Sequence, residues 1–149
     1  MPSTFAITTE APFGVEAMFD ISLDIDAHVS SMAQSGERAV AGVTTGWIGL
    51  GETVTWRARH FGIWFTMTSE IADLERPSRF VDRQVRGPFR AFTHVHEFEA
   101  SGTGTRMTDR ITVASPIFGR LAERLVLVPY LRRLIAKRNA HLLEALGRA

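Results

Sequence analysis

The sequence predicts an α+β domain in which a curved antiparallel sheet of seven strands wraps around one long C-terminal helix. Apolar and polar residues alternate from Gly36 onward over about eighty residues, and a period of two is typical of β-strands. The links between these runs are short, so consecutive strands should be antiparallel neighbours. About the last thirty residues instead carry apolar side chains at helical spacing, and the concave face of the sheet is the surface available to cover them.

The first part of the chain predicts one strand followed by two short helices. Residues 4–9 form a β-like run. A proline after this run fits only the first turn of a helix, and the apolar spacing beyond it predicts a helix over residues 13–20. A second short helix is expected over residues 24–31, with Asp24 or Asp26 as its N-cap.

Six further strands complete the predicted sheet. They lie within residues 37–45, 52–61, 63–72, 79–99 and 105–114, and the fourth range holds two strands joined at Gly87 and Pro88. The loop at 46–51 is unusual because glycines alternate in it with Trp47, Ile48 and Leu50. We expect this loop either to cover a pocket as a lid or to pack against the long helix.

The C-terminal helix is expected to begin at Ser115 and Pro116. Its apolar stripe consists of Leu121, Leu125, Val128, Leu131, Ile135, Leu142 and Leu146. Pro129 interrupts the stripe, and its ring removes one intrahelical hydrogen bond. We therefore expect a kink or a break just before it.

Length and composition limit the classes of protein that this chain can be. With 149 residues, 45% of them apolar, it is expected to form one domain over residues 1–149. It has no cysteine, which excludes disulfides, thiolate metal sites and a cysteine nucleophile. The first basic residue is Arg38 and no apolar run reaches about 18 residues, so neither a secretory signal nor a membrane span is expected, and we expect the cytoplasm.

Charge is distributed unevenly along the chain. Residues 120–149 hold seven Lys or Arg against two Glu, whereas residues 1–119 hold ten basic and fourteen acidic side chains. The simplest interpretation is the solvated face of an amphipathic helix. Peripheral contact of this basic helix with an anionic membrane is the alternative. No nucleic-acid partner is expected, because no recognition motif accompanies the charge.

Alternation along two neighbouring strands places aromatic, imidazole and carboxylate groups on one face. Phe92, His94 and His96 share one side of their strand, and Phe80 and Asp82 share one side of the strand before it. Apolar walls with a few polar groups are typical of a small-molecule pocket. The predicted ligand-binding residues are Trp56, His60, Phe65, Met67, Phe80, Asp82, Phe92, His94, His96, Met107 and Leu125.

Several of these motifs resemble a known superfamily. Residues 51–62 (Gly-Glu-Thr-Val-Thr-Trp-Arg-Ala-Arg-His-Phe-Gly), 79–82 (Arg-Phe-Val-Asp), 87–89 (Gly-Pro-Phe) and 94–98 (His-Val-His-Glu-Phe) are similar to the cyclase/dehydrase-like, ligand-binding branch of the START-related helix-grip superfamily, often abbreviated SRPBCC. The motifs cover about residues 51–113, and the order of elements matches over nearly the whole chain.

The resemblance implies a sheet wrapped around the C-terminal helix with an internal cavity between them. The partner it implies is a small hydrophobic molecule such as a lipid, a quinone or a polyketide-like compound. It implies no shared catalytic set, since members include lipid carriers, hormone receptors and polyketide cyclases, and a fold alone does not settle activity. Nothing in the sequence indicates the oligomeric state.

A metal site is the sharpest chemical alternative. His94 and His96 lie two residues apart on one strand face, and His60 or Asp82 would supply a third ligand. The spacing is common and has no companion motif, so we expect no metal and no other cofactor. An imidazole and carboxylate network in the cavity wall explains the same residues.

Acid–base catalysis is the second alternative. His94, His96, Asp82 and Asp109 could move protons in a partly desolvated pocket, as a cyclase, dehydrase or isomerase would require. Nucleophilic hydrolysis is not supported, because the sequence has no Gly-x-Ser-x-Gly elbow. The sequence therefore favours a carrier or binding protein and leaves an enzyme as the alternative.

Overall fold

From the second strand onward, strands that follow one another in the chain pair side by side, and the first strand pairs with the last. The computed structural model describes residues 2–115 and 119–148. Its strands are β1 (Ser3–Ala11), β2 (Arg38–Gly42), β3 (Thr53–His60), β4 (Ile63–Glu75), β5 (Arg79–Arg86), β6 (Ala91–Ser101) and β7 (Gly104–Ala114). They are ordered β1-β7-β6-β5-β4-β3-β2, and every neighbouring pair is antiparallel. The predicted seven-stranded α+β architecture is confirmed.

Two short helices connect the edge strands, as predicted. They are α1 (Val15–Ser22) and α2 (Ile25–Ser31), and a 3₁₀ turn at Ala33–Ser35 follows them. Asp24 is the N-cap of α2, where its carboxylate accepts a hydrogen bond of 3.1 Å from the backbone N–H of Ala27. This bond satisfies one of the free donors at the start of the helix.

The C-terminal helix is irregular in the turn before Pro129. Its described parts are α3 (Gly119–Ala122), a π turn (Glu123–Leu127) and α4 (Val128–Arg148). Proline cannot donate the usual intrahelical hydrogen bond, and a π turn is one way for a helix to accommodate such a defect. The irregularity therefore lies where the sequence predicted it, while the expected start at Pro116 falls outside the described residues. No described helix is both long and apolar enough to cross a bilayer.

The loop between β2 and β3 packs against the junction of α1 and α2. The indole N–H of Trp47 donates to the carbonyl of Asp20 at 3.1 Å, and the N–H of Ile48 donates to the carbonyl of Leu23 at 3.1 Å. Ile48 is buried, whereas Trp47 and Leu50 are exposed. The loop thus lies on the short helices, a placement that the sequence did not suggest.

Two apolar clusters hold the helices on the sheet. The first lies under α1, where the ring of Phe19 meets the edges of Phe80 and Phe98 at centroid distances of 5.7 and 5.4 Å. The second joins β1 and β7 to the C-terminal helix and contains Phe5, Phe92, Ile111, Val113, Leu131 and Ile135. The space between the clusters is not filled by side chains, and the cavity described below occupies it.

Gly42 provides a test of how closely the edge strand β2 approaches β3. Its φ is +72°, and a Cβ at this position would collide with the backbone carbonyl of Thr53. Gly46 has the same backbone requirement, with a φ of +73°, but nothing lies within 4 Å of an added Cβ. Both Ala variants should pay about 1–2 kcal/mol for the left-handed backbone, and Gly42→Ala should cost roughly 1–3 kcal/mol more because of the clash. Equal free energies of unfolding for the two variants in urea would contradict this account of the edge.

Candidate functional site

A cavity of about 550 Å³ lies between the concave face of the sheet and the helices. Nine of the residues predicted to bind a ligand line it, namely Trp56, His60, Phe65, Met67, Phe80, Asp82, Phe92, His94 and His96. They come from β3, β4, β5 and β6, and alternation along each strand turns them all inward. Their contact with a ligand stays a prediction.

The two other predicted ligand-binding residues do not line the cavity. Met107 is fully buried in the cluster beneath α1, where its sulfur lies 3.9 Å from the hydroxyl of Ser22. Leu125 lies in the π turn and is 67% exposed. The inner face of β7 is filled by α1 and α4, and a change in helical repeat rotates residues off the apolar stripe, which explains both differences.

The polar end of the cavity is a stack of three rings with a carboxylate at each side. The rings of Phe80 and His96 are 4.0 Å apart and those of His96 and His94 are 3.7 Å apart. His96 donates through Nε2 to Asp82 at 2.7 Å, and His94 donates through Nε2 to Asp109 at 2.7 Å. Asp82 lies against the cavity, while Asp109 is buried behind it.

Two residues of α4 that the sequence analysis missed complete this network. The guanidinium of Arg138 donates to Asp109 at 2.8 Å, and the amide of Asn139 donates to the other oxygen of the same carboxylate at 2.8 Å. Arg138 and Asn139 are 3% and 1% exposed. Asp109 therefore accepts hydrogen bonds from three side chains and joins the sheet to the helix.

A sequence signal for Arg138 and Asn139 does exist. Both fall between Ile135 and Leu142, at the spacing of three or four residues that defines the buried stripe of the helix. Polar residues on an apolar stripe require partners in the core. Pairing them with Asp109, an acid on the inner face of a predicted strand, would have located the network.

The pKa values of the two carboxyl groups are lowered by their partners. Burial alone would raise the pKa of Asp109, but the charge of Arg138 and the hydrogen bond from His94 outweigh it and lower that pKa. Burial likewise opposes ionisation of Asp82, yet the hydrogen bond from His96 and the nearby positive charges lower its pKa. Both groups are thus carboxylates at neutral pH.

His96 is a neutral imidazole at neutral pH. Burial lowers its pKa to about 4, and the neighbouring His94 adds to this effect against the opposing influence of Asp82. With Nε2 donating to Asp82, the Nδ1 atom is an acceptor, and it has no hydrogen-bond partner among the described residues. His96 therefore places an uncharged ring nitrogen beside the cavity.

The geometry of this cluster does not suit a metal ion. Ligand atoms of Asp82, His94 and His96 lie within 4.8 Å of one another. The two imidazole planes are inclined by only 19°, however, so their in-plane lone pairs run side by side and do not converge. The Nε2 atom of each ring already donates to a carboxylate. His60, the alternative third ligand in the sequence-based hypothesis, is hydrogen-bonded to Tyr130 instead.

Two further polar pairs line the cavity away from this network. His60 Nδ1 lies 2.6 Å from the hydroxyl of Tyr130, and burial lowers the pKa of His60. His28 stacks on Trp56 with ring centroids 4.3 Å apart and lies 2.8 Å from the carboxylate of Glu37. Tyr130 lies seventy residues after His60, so no local pattern indicated that pair, whereas Glu37 follows His28 by only nine residues.

The link between Asp109 and Arg138 should dominate the stability of the site. Arg138→Met or Asp109→Asn alone should each cost about 3–5 kcal/mol, because each leaves one buried group without its charged partner. The double variant should cost much less than the sum of the single variants. Arg106, in an exposed pair with Glu10, is the matched control, and Arg106→Met should cost far less than either buried substitution. Additive single costs in urea unfolding would contradict this network.

His96 should make the folded state sensitive to mild acid. Its pKa of about 4 lies below the ordinary value of 6.5, so between these values the unfolded chain binds a proton that the folded chain does not. The free energy of unfolding should fall as pH drops from 6.5 to 4, by up to roughly 3 kcal/mol. Asp82 and Asp109, with lowered pKa values, add losses only below about pH 4. In His96→Gln the free energy of unfolding should fall less steeply with pH, but it should still fall, since the pKa of His60 is also lowered. An unchanged dependence on pH would rule out His96 as its source.

Known structures share this architecture at low sequence identity. An aromatase/cyclase from a Streptomyces species matches with a TM-score of 0.78 and 13% identity, covering 99% of this chain and 95% of the other. A protein of Thermus thermophilus matches with a TM-score of 0.77 and 19% identity over 95% of each chain. The ginseng major latex-like protein 151 from Panax ginseng matches with a TM-score of 0.69 and 12% identity over 97% of each chain.

These similarities concern the fold. No protein-family model matches the sequence, and no curated protein sequence matches it. The structural matches cover nearly the whole chain and reproduce the curved sheet around a C-terminal helix, which is what the motifs at residues 51–62 and 94–98 led us to expect. The chain therefore has a helix-grip fold.

Proposed function

We propose that this protein binds and carries a small, largely apolar ligand that has one polar end. The observation that carries the proposal is the cavity, whose volume of about 550 Å³ lies within the range of small-molecule sites. Its walls are mostly aromatic and aliphatic, and Asp82, one of four acidic residues in its lining, lies beside His96 at the polar end.

The walls and Asp82 would play different parts in binding. Apolar burial contributes about 25 cal/mol per Å², so a ligand that buries roughly 300 Å² would gain about 7 kcal/mol before the costs of association. A hydrogen bond to a charged group contributes about 1.5–3 kcal/mol. The walls would thus supply most of the affinity, and Asp82 would fix the orientation.

The state of Asp82 narrows the chemistry of the polar end. Its pKa is lowered, so at neutral pH it is a carboxylate that only accepts hydrogen bonds. One oxygen already accepts from His96. A ligand with a hydroxyl or phenol group would donate to Asp82, whereas a quinone or an ether would not. Among the predicted partners, this favours hydroxylated lipids and polyketide-like phenols over quinones.

An enzyme acting through the same residues is the second candidate. The hydrogen-bonded pair of Asp82 and His96 could accept a proton from a bound ligand, and one structural neighbour is described as an aromatase/cyclase. General bases work best with a pKa near the operating pH. The pKa of His96 is about 4 and that of Asp82 is lowered, so both would be weak bases at neutral pH. This favours the carrier.

The primary test identifies what the cavity holds. Native mass spectrometry of freshly purified protein should show bound mass, and 1-naphthol should raise the melting temperature more than its methyl ether. Ala58 lines the cavity, so Ala58→Phe should fill it and abolish binding, whereas Ala72→Phe, at an exposed position of β4, should not. Ligand at 100 times its dissociation constant should stabilise by about 2.7 kcal/mol. No bound mass and no stabilisation by lipids, quinones, polyketides or naphthols would refute the carrier.

One substitution separates the carrier from the enzyme. Asp82→Asn keeps the size of the side chain but removes its charge. If a bound compound is converted during incubation, and Asp82→Asn abolishes the conversion while the compound still binds, the enzyme is favoured. Binding without conversion in the parent protein favours the carrier. His94→Ala is less informative, because it also disrupts the buried network around Asp109.

A further inference from the structure

The cavity opens at a rim of large apolar side chains. Phe61, Ile63 and Val126 each line the cavity and are also exposed to solvent, so the mouth lies between the β3–β4 hairpin and the π turn. Leu121 and Leu125, on the same stretch of helix as Val126, are 71% and 67% exposed. We call these five residues the mouth rim. They are half of the strongly exposed large apolar residues in the described part of the chain.

The aromatic residue at the tip of the rim is held in a strained backbone conformation. Phe61 and Gly62 form the two-residue turn between β3 and β4, with φ values of +53° and +76°. Such turns favour Asn or Asp before the Gly, and a bulky side chain at positive φ is uncommon. Phe61 is 60% exposed and its ring contacts Tyr130 at 4.5 Å. The contact with Tyr130 leaves most of the ring exposed to solvent, at a position where the backbone disfavours it.

Positive charge surrounds the rim without matching negative charge. Arg59, Arg90, Arg124 and Arg133 are exposed on the elements that form the mouth, and none forms an ion pair with a carboxylate of residues 2–115 or 119–148. Elsewhere on the surface, Arg76, Arg79, Arg83, Arg106 and Arg110 each pair with an acid. Arg57, on the outer face of β3, lies over the ring of Trp64 and forms no ion pair with a described carboxylate.

The acidic residue of this region does not offset that charge at the surface. Residues 57–65, 84–92 and 119–133 contain Glu123 as their sole Asp or Glu. Glu123 is 4% exposed, and its carboxylate accepts hydrogen bonds from the hydroxyl of Ser3 and the N–H of Ser115. The mouth therefore presents an apolar centre with an uncompensated cationic border.

We propose that the mouth rim docks onto the surface of an anionic lipid bilayer, with the cavity facing the membrane. An apolar surface that enters the boundary between headgroups and acyl chains, with cations beside the phosphates, is the combination that binds anionic bilayers. A protein partner would bring its own carboxylates to a few of these arginines, whereas a bilayer offers negative charge around the whole mouth. The docking goes beyond the proposed function and does not require a bound ligand.

Phe61→Asn tests the docking without endangering the fold. It removes the exposed ring and creates the Asn-Gly pair that this turn prefers. The substitution loses the contact with Tyr130 but improves the turn, so any fall in melting temperature should be small. Sedimentation with vesicles of equal parts phosphatidylglycerol and phosphatidylcholine should show binding by the parent protein and about tenfold weaker binding by the variant. Leu50→Asn is the matched control, since Leu50 is 62% exposed at the opposite end of β3, and its binding should be unchanged.

The charge requirement has its own pair of variants. Arg124→Gln should weaken binding to the anionic vesicles, and Arg83→Gln, whose arginine pairs with Glu70, should not. Binding should also decline with added salt and be weak on vesicles of pure phosphatidylcholine. No binding to the anionic vesicles, or equal losses in Phe61→Asn and Leu50→Asn, would overturn the proposal.

Self-association is the other outcome that would overturn it. A dimer in solution that dissociates in Phe61→Asn, together with no vesicle binding, would assign the rim to a second copy of the chain. The result is separable from the proposed function, because vesicle binding is measured without added ligand and the ligand panel is measured without vesicles.

Discussion

The buried carboxylate of Asp109 is the group on which the arrangement of this molecule depends. It lies on the sheet at the point where the C-terminal helix crosses, and it is fully buried. A carboxylate in that position requires donors, and they come from Arg138 and Asn139 on α4 and from His94 on the neighbouring strand. Any rotation or slide of the helix would break these bonds. Asp109 thus fixes the position of the helix against the sheet.

The same carboxylate organises the polar end of the cavity. Because it binds His94, it places that ring against His96, which in turn donates to Asp82. A chain of polar contacts therefore runs from Asp109 in the core to Asp82, His94 and His96 in the cavity wall. The stacking of His96 on Phe80 completes the polar end of the cavity. A carboxylate held by these contacts is suited to orienting a ligand, whereas the low pKa of His96 makes that imidazole a poor base at neutral pH.

The mouth of the cavity differs from its polar end in exposure and in pairing of charges. Its side chains are exposed, its arginines form no ion pair with a carboxylate of the described residues, and one residue of its hairpin has an unfavourable backbone conformation. Polar side chains are favoured on a surface that faces water. An apolar rim at a cavity entrance therefore indicates contact with something other than water. The basic character of the last thirty residues, which the sequence showed, is part of this feature, but arginines of β3 and the β5–β6 hairpin contribute as much.

Alternation and helical periodicity by themselves determined the architecture and the inward faces of the strands. Along β3, β6 and β7, the residues expected inside are those that are buried, because a strand without a bulge keeps a period of two. Tertiary structure decided the rest. A bulge between Ile71 and Asp73 moves the inward face of β4 to Leu74. Met107 and Phe80 both point inward, yet only Phe80 reaches the cavity, since the position of the helices determines which inward residues border a space and which are covered. The helix partners of Asp109 likewise lie about thirty residues away in the chain; the helical stripe marks Arg138 and Asn139 as buried, but only the packing of the helix on the sheet decides which acid they meet.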